Sequence, residues 1–268
     1  MGNRRFDRGT VFGVLLALTG VTAGLALDGG SIKQILQPSA ALIVIAGTLG
    51  AVMIQFPMAT ILQTIKQLPN VLFERGPMYE AALDELVDYC IKIRRHGILR
   101  LDSELESIED RFLRKALTLA VDNAPMEVMR EKMELELDLA DERERGVVKV
   151  LEAAGGFAPT LGIIGAVLGL IQVMQRMDNV AEIGKGIAVA FVSTLYGLGF
   201  ANLFMLPLAG KMRIRIRQRQ LLNEMTIEAV ASIMDGIGPR GLKEKLDVYV
   251  AQHSAKGEVF ARGEMVTQ

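Results

Sequence analysis

The chain has 268 residues, half of them apolar, with 30 basic and 31 acidic side chains, one Cys, two His and no Trp. A single cysteine excludes an internal disulfide, and two histidines without clustered cysteines exclude the common zinc frameworks. No phosphate-binding glycine loop or catalytic motif is present, so neither an enzyme nor a cofactor is expected.

The apolar residues gather in four uncharged runs, 10–27, 34–65, 153–175 and 186–210. Each is near or above the roughly 18 residues that a helix needs to cross a hydrocarbon core. The expected fold is an all-α membrane protein with four transmembrane helices, a helical cytoplasmic domain between spans two and three, and long helices extending into the cytoplasm. Spans at 10–27 and 38–58 make one hairpin within 1–65, and spans at 153–175 and 186–208 make another within 153–210.

Basic residues fix the orientation. Arg4, Arg5 and Arg8 precede the first span, Lys66 follows the second, and Arg143, Arg145 and Lys149 lead into the third. Lys211, Arg213, Arg215, Arg217 and Arg219 follow the fourth. The positive-inside rule then puts both termini in the cytoplasm. A basic ladder directly after a span points to anionic membrane lipids rather than to nucleic acid. The first run, with Gly24 and Ala26 near its end, also imitates a cleavable signal peptide. Cleavage would leave an odd number of spans against the charge pattern, so the run is read as a retained span.

Residues 66–152, with 14 basic and 20 acidic side chains, are too polar for lipid and too many for a turn. They form the expected cytoplasmic domain. A helix over 78–96 turns Ala82, Leu86, Tyr89 and Ile93 inward and stops at Gly97. A second helical piece over 101–121 buries Leu105, Ile108, Phe112 and Leu119. Asn123 caps a third helix with Pro125 in its first turn, and no strong breaker follows before Gly155, so this helix runs into the third span. The fourth span likewise continues to about 236–239. A short helix over 241–251 completes the C-terminal helices of 211–251, and 252–268 reads as a disordered tail. Cys90 lies among charged residues as an ordinary reduced thiol.

Spans three and four are built from small residues. Ala158, Gly162, Gly165, Ala166 and Gly169 share one side of the third span, and Gly186, Ala190, Thr194, Gly197 and Ala201 repeat the pattern in the fourth. In lipid, close packing depends on residues that let backbones approach. Each stripe alone is explained by packing of the chain's own helices. Together, with hydroxyls at Thr160, Ser193 and Thr194 and a proline in each helix, they favour grooves around another helix or an ion pathway. Pro159 deprives the carbonyl of Gly155 of its usual N–H, and Pro207 does the same to Leu203. None of the four runs carries a carboxylate, so an ion-binding one must come from another polypeptide.

The segments "GGFAPTLGIIGAVLGLIQVM" and "GIAVAFVSTLYGLGFANLFMLPLAGKM" resemble the third and fourth spans of the motility protein A (MotA/PomA) family, the stator subunits of the bacterial flagellar motor. The likeness covers nearly the whole chain except the tail. It implies an inner-membrane homopentamer around a MotB-type subunit, whose transmembrane Asp binds the ion and whose ion flow drives the rotor's switch-complex protein. Carried over by position, Pro159, Thr194, Ser193, Tyr196 and Pro207 fall on the ion pathway. "RRHGILRLD" is similar to the family's rotor-facing turn, giving rotor roles to Arg94 and Arg95 and an acidic role to Asp102, where a Glu is usual, with Glu104 or Glu106 as substitutes. Ala166 stands where sodium-driven relatives carry Thr, which favours protons; the Ser193 hydroxyl keeps sodium open. The rival family is the ExbB/TolQ type, which energises an envelope partner with proton flow. Four spans with both ends inside, and the "TLYG" motif, favour the flagellar reading.

Overall fold

In the computed structural model of the chain, residues 5–74, 79–175, 177–178 and 180–263 are described. Arg4, the expected helix start at Met78, Arg176 in the second outer connection and the tail residues 264–268 lie outside them. The described chain is helical apart from a two-residue antiparallel pairing of Arg5–Phe6 (β1) with Phe73–Glu74 (β2). It divides into two units: residues 1–75 with 144–214, and residues 76–143 with 215–268.

The first unit contains helices α1 (Arg8–Leu27), α2 (Ile32–Ile35), α3 (Pro38–Gln55), α4 (Met58–Leu72), the end of α7 (Met126–Gln175), α8 (Val180–Gly199) and the start of α9 (Leu206–Met234). Among the described residues four helices are long and apolar enough to cross a membrane, and each contains or overlaps one of the four expected spans. Asp7 caps α1 by accepting from the Thr10 amide at 3.1 Å. Its carboxylate also pairs with Lys211, which donates to Thr10 Oγ1 as well. The apolar window of α1 is otherwise uncovered by the chain.

The second span ends earlier than expected. Pro57 forces Phe56 into an extended conformation (φ −120°, ψ 146°), since the α region would bring its backbone against the proline ring. The chain therefore leaves α3 at Gln55 and restarts as α4, whose Ile61 joins Val52, Val150 and Ala154 in a small apolar cluster. The uncharged run to residue 65 therefore extends past the span into the start of α4.

The second unit holds α5 (Tyr79–His96), a 3₁₀ segment (Ile98–Ser107), α6 (Arg111–Val121), the beginning of α7, the later part of α9, and α10 (Pro239–Gly263). Its core is one cluster including Leu86, Leu105, Ile108, Leu117, Met129, Met133, Met225, Val230, Leu242 and Leu246. Each such side chain, fully buried, contributes about 1.5–3 kcal/mol. The expected helix over 101–121 is two pieces. Asp110 accepts from the amides of Phe112 and Leu113 at 2.7 and 3.0 Å and so starts α6 afresh.

Asn123 has the opposite role to the one expected. Its φ is +57°, and the Ala124 amide reaches back to Leu119 O at 3.1 Å, so Asn123 closes α6 in a left-handed turn instead of capping α7. Gly236, at φ +80°, ends α9 in the same manner. From Pro239 the last helix continues to Gly263, beyond the expected end at 251. The residues after Ala251 include further alanines and no proline, and nothing in them forces a stop there.

Candidate functional site

The two small-residue stripes meet each other. A Cβ added to Gly162 would lie 2.9 Å from Ser193 O and 3.4 Å from Gly197 Cα. One on Gly169 would lie 2.7 Å from Gly186 O and 2.8 Å from the Ala190 amide, and one on Gly197 would stand 2.5 Å from Ala158 O. Real side-chain carbons do not come so near, so α7 and α8 touch backbone to backbone at these three positions. The expectation that these grooves embrace a foreign helix is therefore corrected: the chain's own α7 and α8 fill them. The physical reason is reciprocity, because a strip of glycines is complementary to another such strip and the chain carries both.

Helix α3 packs along α8 with Ala40, Val44, Thr48 and Val52 turned inward. Gly47 of α3 lies beneath Leu161, and Gly165 is close to Ile43.

Within this packing the pathway residues separate. Ser193 is wholly buried, and its Oγ sits over Gly165 without a hydrogen-bond partner among the described residues, as does the Thr48 Oγ1 in its own buried position. Thr194, one residue on, is half-buried and donates to Ala190 O at 3.3 Å. The Tyr196 hydroxyl donates to Ile35 O at 2.6 Å and accepts from the Gln37 amide at 3.4 Å, so it anchors the connection ahead of α3. Ala166 is half-buried on α7.

The two proline irregularities are neighbours. Gly155, whose carbonyl Pro159 leaves without an N–H, packs beneath Leu206 and Met205, just before Pro207. Around Pro207 the helix does not stay α: Phe200–Met205 forms a π-turn, in which the Leu206 amide donates to Ala201 O. An extra residue in the turn accommodates a ring that cannot join the α ladder.

The charged turn of the second unit is also divided. Arg94 and Arg95 occupy the last turn of α5, where basic side chains oppose the negative helix end. The Arg94 guanidinium lies against Gly238, and its charge partly offsets the burial that pushes the Cys90 thiol up from its ordinary value. Arg94, Arg95 and Asp102 are all exposed. Glu104 bonds Lys92 at 2.7 Å, which raises the lysine's pKa, and Lys92 also stands 5.4 Å from the centre of the Tyr89 ring. Glu104 is thus engaged within its own unit, while Glu106 is exposed.

Sequence reasoning did not single out the triad at Glu228. Its carboxylate receives Arg130 of α7 at 2.9 Å and Lys245 of α10, and it lies well covered. Bonding to Lys245 first, and to Arg130 next, holds its pKa below the ordinary carboxylate value against the opposing effect of burial. Nor did the sequence reading mark Asn202, an exposed amide within an apolar helix.

Two family models match, one described as Motility protein A N-terminal over residues 11–97 and one as the MotA/TolQ/ExbB proton channel family over residues 104–225. Motility protein A of Bacillus subtilis (strain 168) is 35% identical over 248 residues, covering 91% of each chain. The chain belongs to the motility protein A family. Chemotaxis protein PomA of Vibrio alginolyticus is 30% identical over 244 residues, with 91% of this chain and 95% of that one covered. Among solved structures, the flagellar MotAB stator complex from Bacillus subtilis matches with a TM-score of 0.84 at 34% identity, covering 93% of this chain and 99% of that chain. The C. jejuni MotAB structure matches with a TM-score of 0.86 at 28% identity, over 91% and 95%. A motility protein A fold accounts for the four apolar helices.

Proposed function

We propose that this chain is the A-type stator subunit of a flagellar motor, an inner-membrane protein with both termini in the cytoplasm. Several copies surround a MotB-type partner whose transmembrane Asp carries the ion, and ion passage turns the assembly against the rotor's switch-complex protein. The pentameric count follows from the family likeness alone.

One observation carries the reading: the four apolar runs hold no Asp, Glu, Lys, Arg or His, yet α8 presents the half-buried Thr194 hydroxyl beside a helix pair already sealed by glycine contacts. Such a unit can guide a cation but cannot bind one by charge, so the charge belongs to a partner. Ala166 offers a methyl where a sodium ligand would need oxygen, which supports protons as the coupling ion. Ser193, turned into the α7–α8 contact, is poorly placed to substitute. On the rotor side Arg94, Arg95 and Asp102 are the proposed contacts. Glu104 is the weaker candidate because Lys92 already holds it. The Arg ladder after the fourth span meets anionic lipid headgroups.

The test is motor speed in cells carrying this chain with its cognate partner, recorded while sodium and the proton gradient are varied separately. Speed should follow the proton gradient and ignore sodium. Thr194→Val should cut rotation about tenfold, the effect of losing one hydrogen bond of about 1.4 kcal/mol in the moving step, while the complex still copurifies. Wild-type rotation by this variant would remove Thr194 from the pathway, and speed tracking sodium at fixed pH would overturn the proton assignment.

A further inference from the structure

At its C-terminal end α5 is fastened to the turn between α9 and α10. Gly236, at φ +80°, closes α9, and the Ile237 amide donates back to Ser232 O at 3.0 Å, so the path of the chain into α10 is fixed. The Cys90 thiol of α5 donates to Ile237 O at 3.5 Å. One helical turn further along α5, Arg94 lies over the next residue of the turn, Gly238. Gly238 caps the last helix: its carbonyl accepts from the Leu242 amide at 2.9 Å, and Pro239 takes the first helical position.

A Cβ added to Gly238 would collide with Arg94 Nη1 and stand 3.5 Å from its Cζ. The guanidinium therefore rests on bare backbone. Conformation does not explain the glycine, because its φ lies outside the left-handed region. Capping does not explain it either, since Ser, Asn and Asp cap a helix better. What glycine alone supplies here is room for the guanidinium.

The seat is steric rather than ionic. Among the described residues no carboxylate is paired with Arg94. The C-terminus of α5 attracts its charge, and the N-terminus of α10 repels it. The charge is thus placed without being neutralised, on an exposed side chain. Holding a long side chain in one orientation before a partner arrives removes an ordering cost from binding, an effect of about two- to tenfold in affinity.

We propose that Gly238 is a positioning residue for the rotor contact: its missing side chain seats the Arg94 guanidinium and so fixes where that positive charge is presented to an acidic surface of the rotor's switch-complex protein. The proposal rests on the stator reading above. It gives the turn into the last helix a part in aiming a charge carried by α5.

The experiment uses the complete complex with its cognate partner and measures apparent affinity for the purified switch-complex protein, cation flux across the membrane, and the unfolding midpoint in detergent. Gly238→Ala should weaken rotor binding about two- to tenfold while flux stays at the wild-type value. Its midpoint should stay near wild type, because the poorer cap and the lower chain entropy of alanine offset each other. Gly238→Ser, a better cap than glycine, should weaken binding equally, which separates the seat from helix stability if the alanine variant melts early. Arg94→Gln should weaken binding at least as much, and adding Gly238→Ala to it should do nothing further, because the seat then holds no charge. Wild-type affinity in both Gly238 variants overturns the proposal, as does wild-type affinity in Arg94→Gln or a full additional loss in the double variant. If Arg94→Gln weakens binding and the Gly238 variants do not, the seat alone is wrong. If the wild-type complex neither binds the switch-complex protein nor conducts, the stator reading fails with it.

Discussion

In the first unit the tightest contacts are between backbones: Gly162 against Ser193, Gly169 against Gly186 and Ala190, Gly197 against Ala158. In the second unit the interior is made of large side chains, with Leu86, Leu117, Met129, Met133, Leu242 and Leu246 all fully buried. The difference follows from the solvent each is built for. Water drives leucine and methionine inward, and a core grows from their area. Lipid gives no such drive, so helices adhere through dispersion at the shortest approach their side chains permit. Large apolar side chains in the first unit accordingly face outward, as Ile163, Ile164, Val167, Leu170 and Ile171 do along α7.

This contrast can be broken by exchanging the kinds of substitution each unit tolerates. Gly162→Leu forces a branched side chain into a site where even one carbon would crowd Ser193 O. It should separate α7 from α8 at a cost of at least about 3 kcal/mol, the upper end for overpacking, seen as loss of folded protein in detergent unfolding curves. A variant with wild-type stability would show that backbone contact is not what holds the pair. Leu117→Ala leaves a cavity in the second unit and should cost about 3 kcal/mol, within the range for buried leucines. A neutral result by the same measurement would deny that unit its side-chain core.

A smaller effect sharpens the comparison, because the second unit also uses charge. Glu228→Gln removes the carboxylate that joins Arg130 to Lys245 and should cost about 1 kcal/mol at neutral pH, allowing for solvent screening of the partly exposed cations. The sign of the pH dependence is fixed by the lowered pKa. The stabilisation is complete above the unfolded carboxylate value of about 4.3 and is lost as pH falls through the lower folded value. Wild-type stability measured from pH 6 downward should therefore drop more steeply in acid than that of the glutamine variant. Parallel curves would mean that the triad stores no charge-dependent stability.

The four spans were legible because length and lack of charge suffice to find them; on α5 the helical spacing found Leu86, while Ala82, Tyr89 and Ile93 only flank the buried face of Tyr79, Leu83, Leu86 and Cys90. The destination of the glycine stripes was not legible. A row of glycines states that another backbone comes close, but nothing in it says whose. The break at Phe56 was written in Pro57, yet the uncharged run continued through it and masked the turn. A π-turn has no composition of its own, so only Pro207 hinted at it. Asn123 was ambiguous in kind, since the short amide that caps a helix start also tolerates the left-handed conformation that ends one.

The foot of α1 has its own consequence. Its twenty residues span about 30 Å at 1.5 Å per residue, and the Asp7–Lys211 ion pair grips only one end. The rest of the helix shows its apolar surface to the surroundings. In a thinner or thicker bilayer this helix can tilt about its ionic pivot to match the hydrocarbon depth, while the interlocked pair behind it keeps its register. Lipid thickness would then be absorbed at the rim of the molecule, sparing the seam where a displacement of even an ångström would matter.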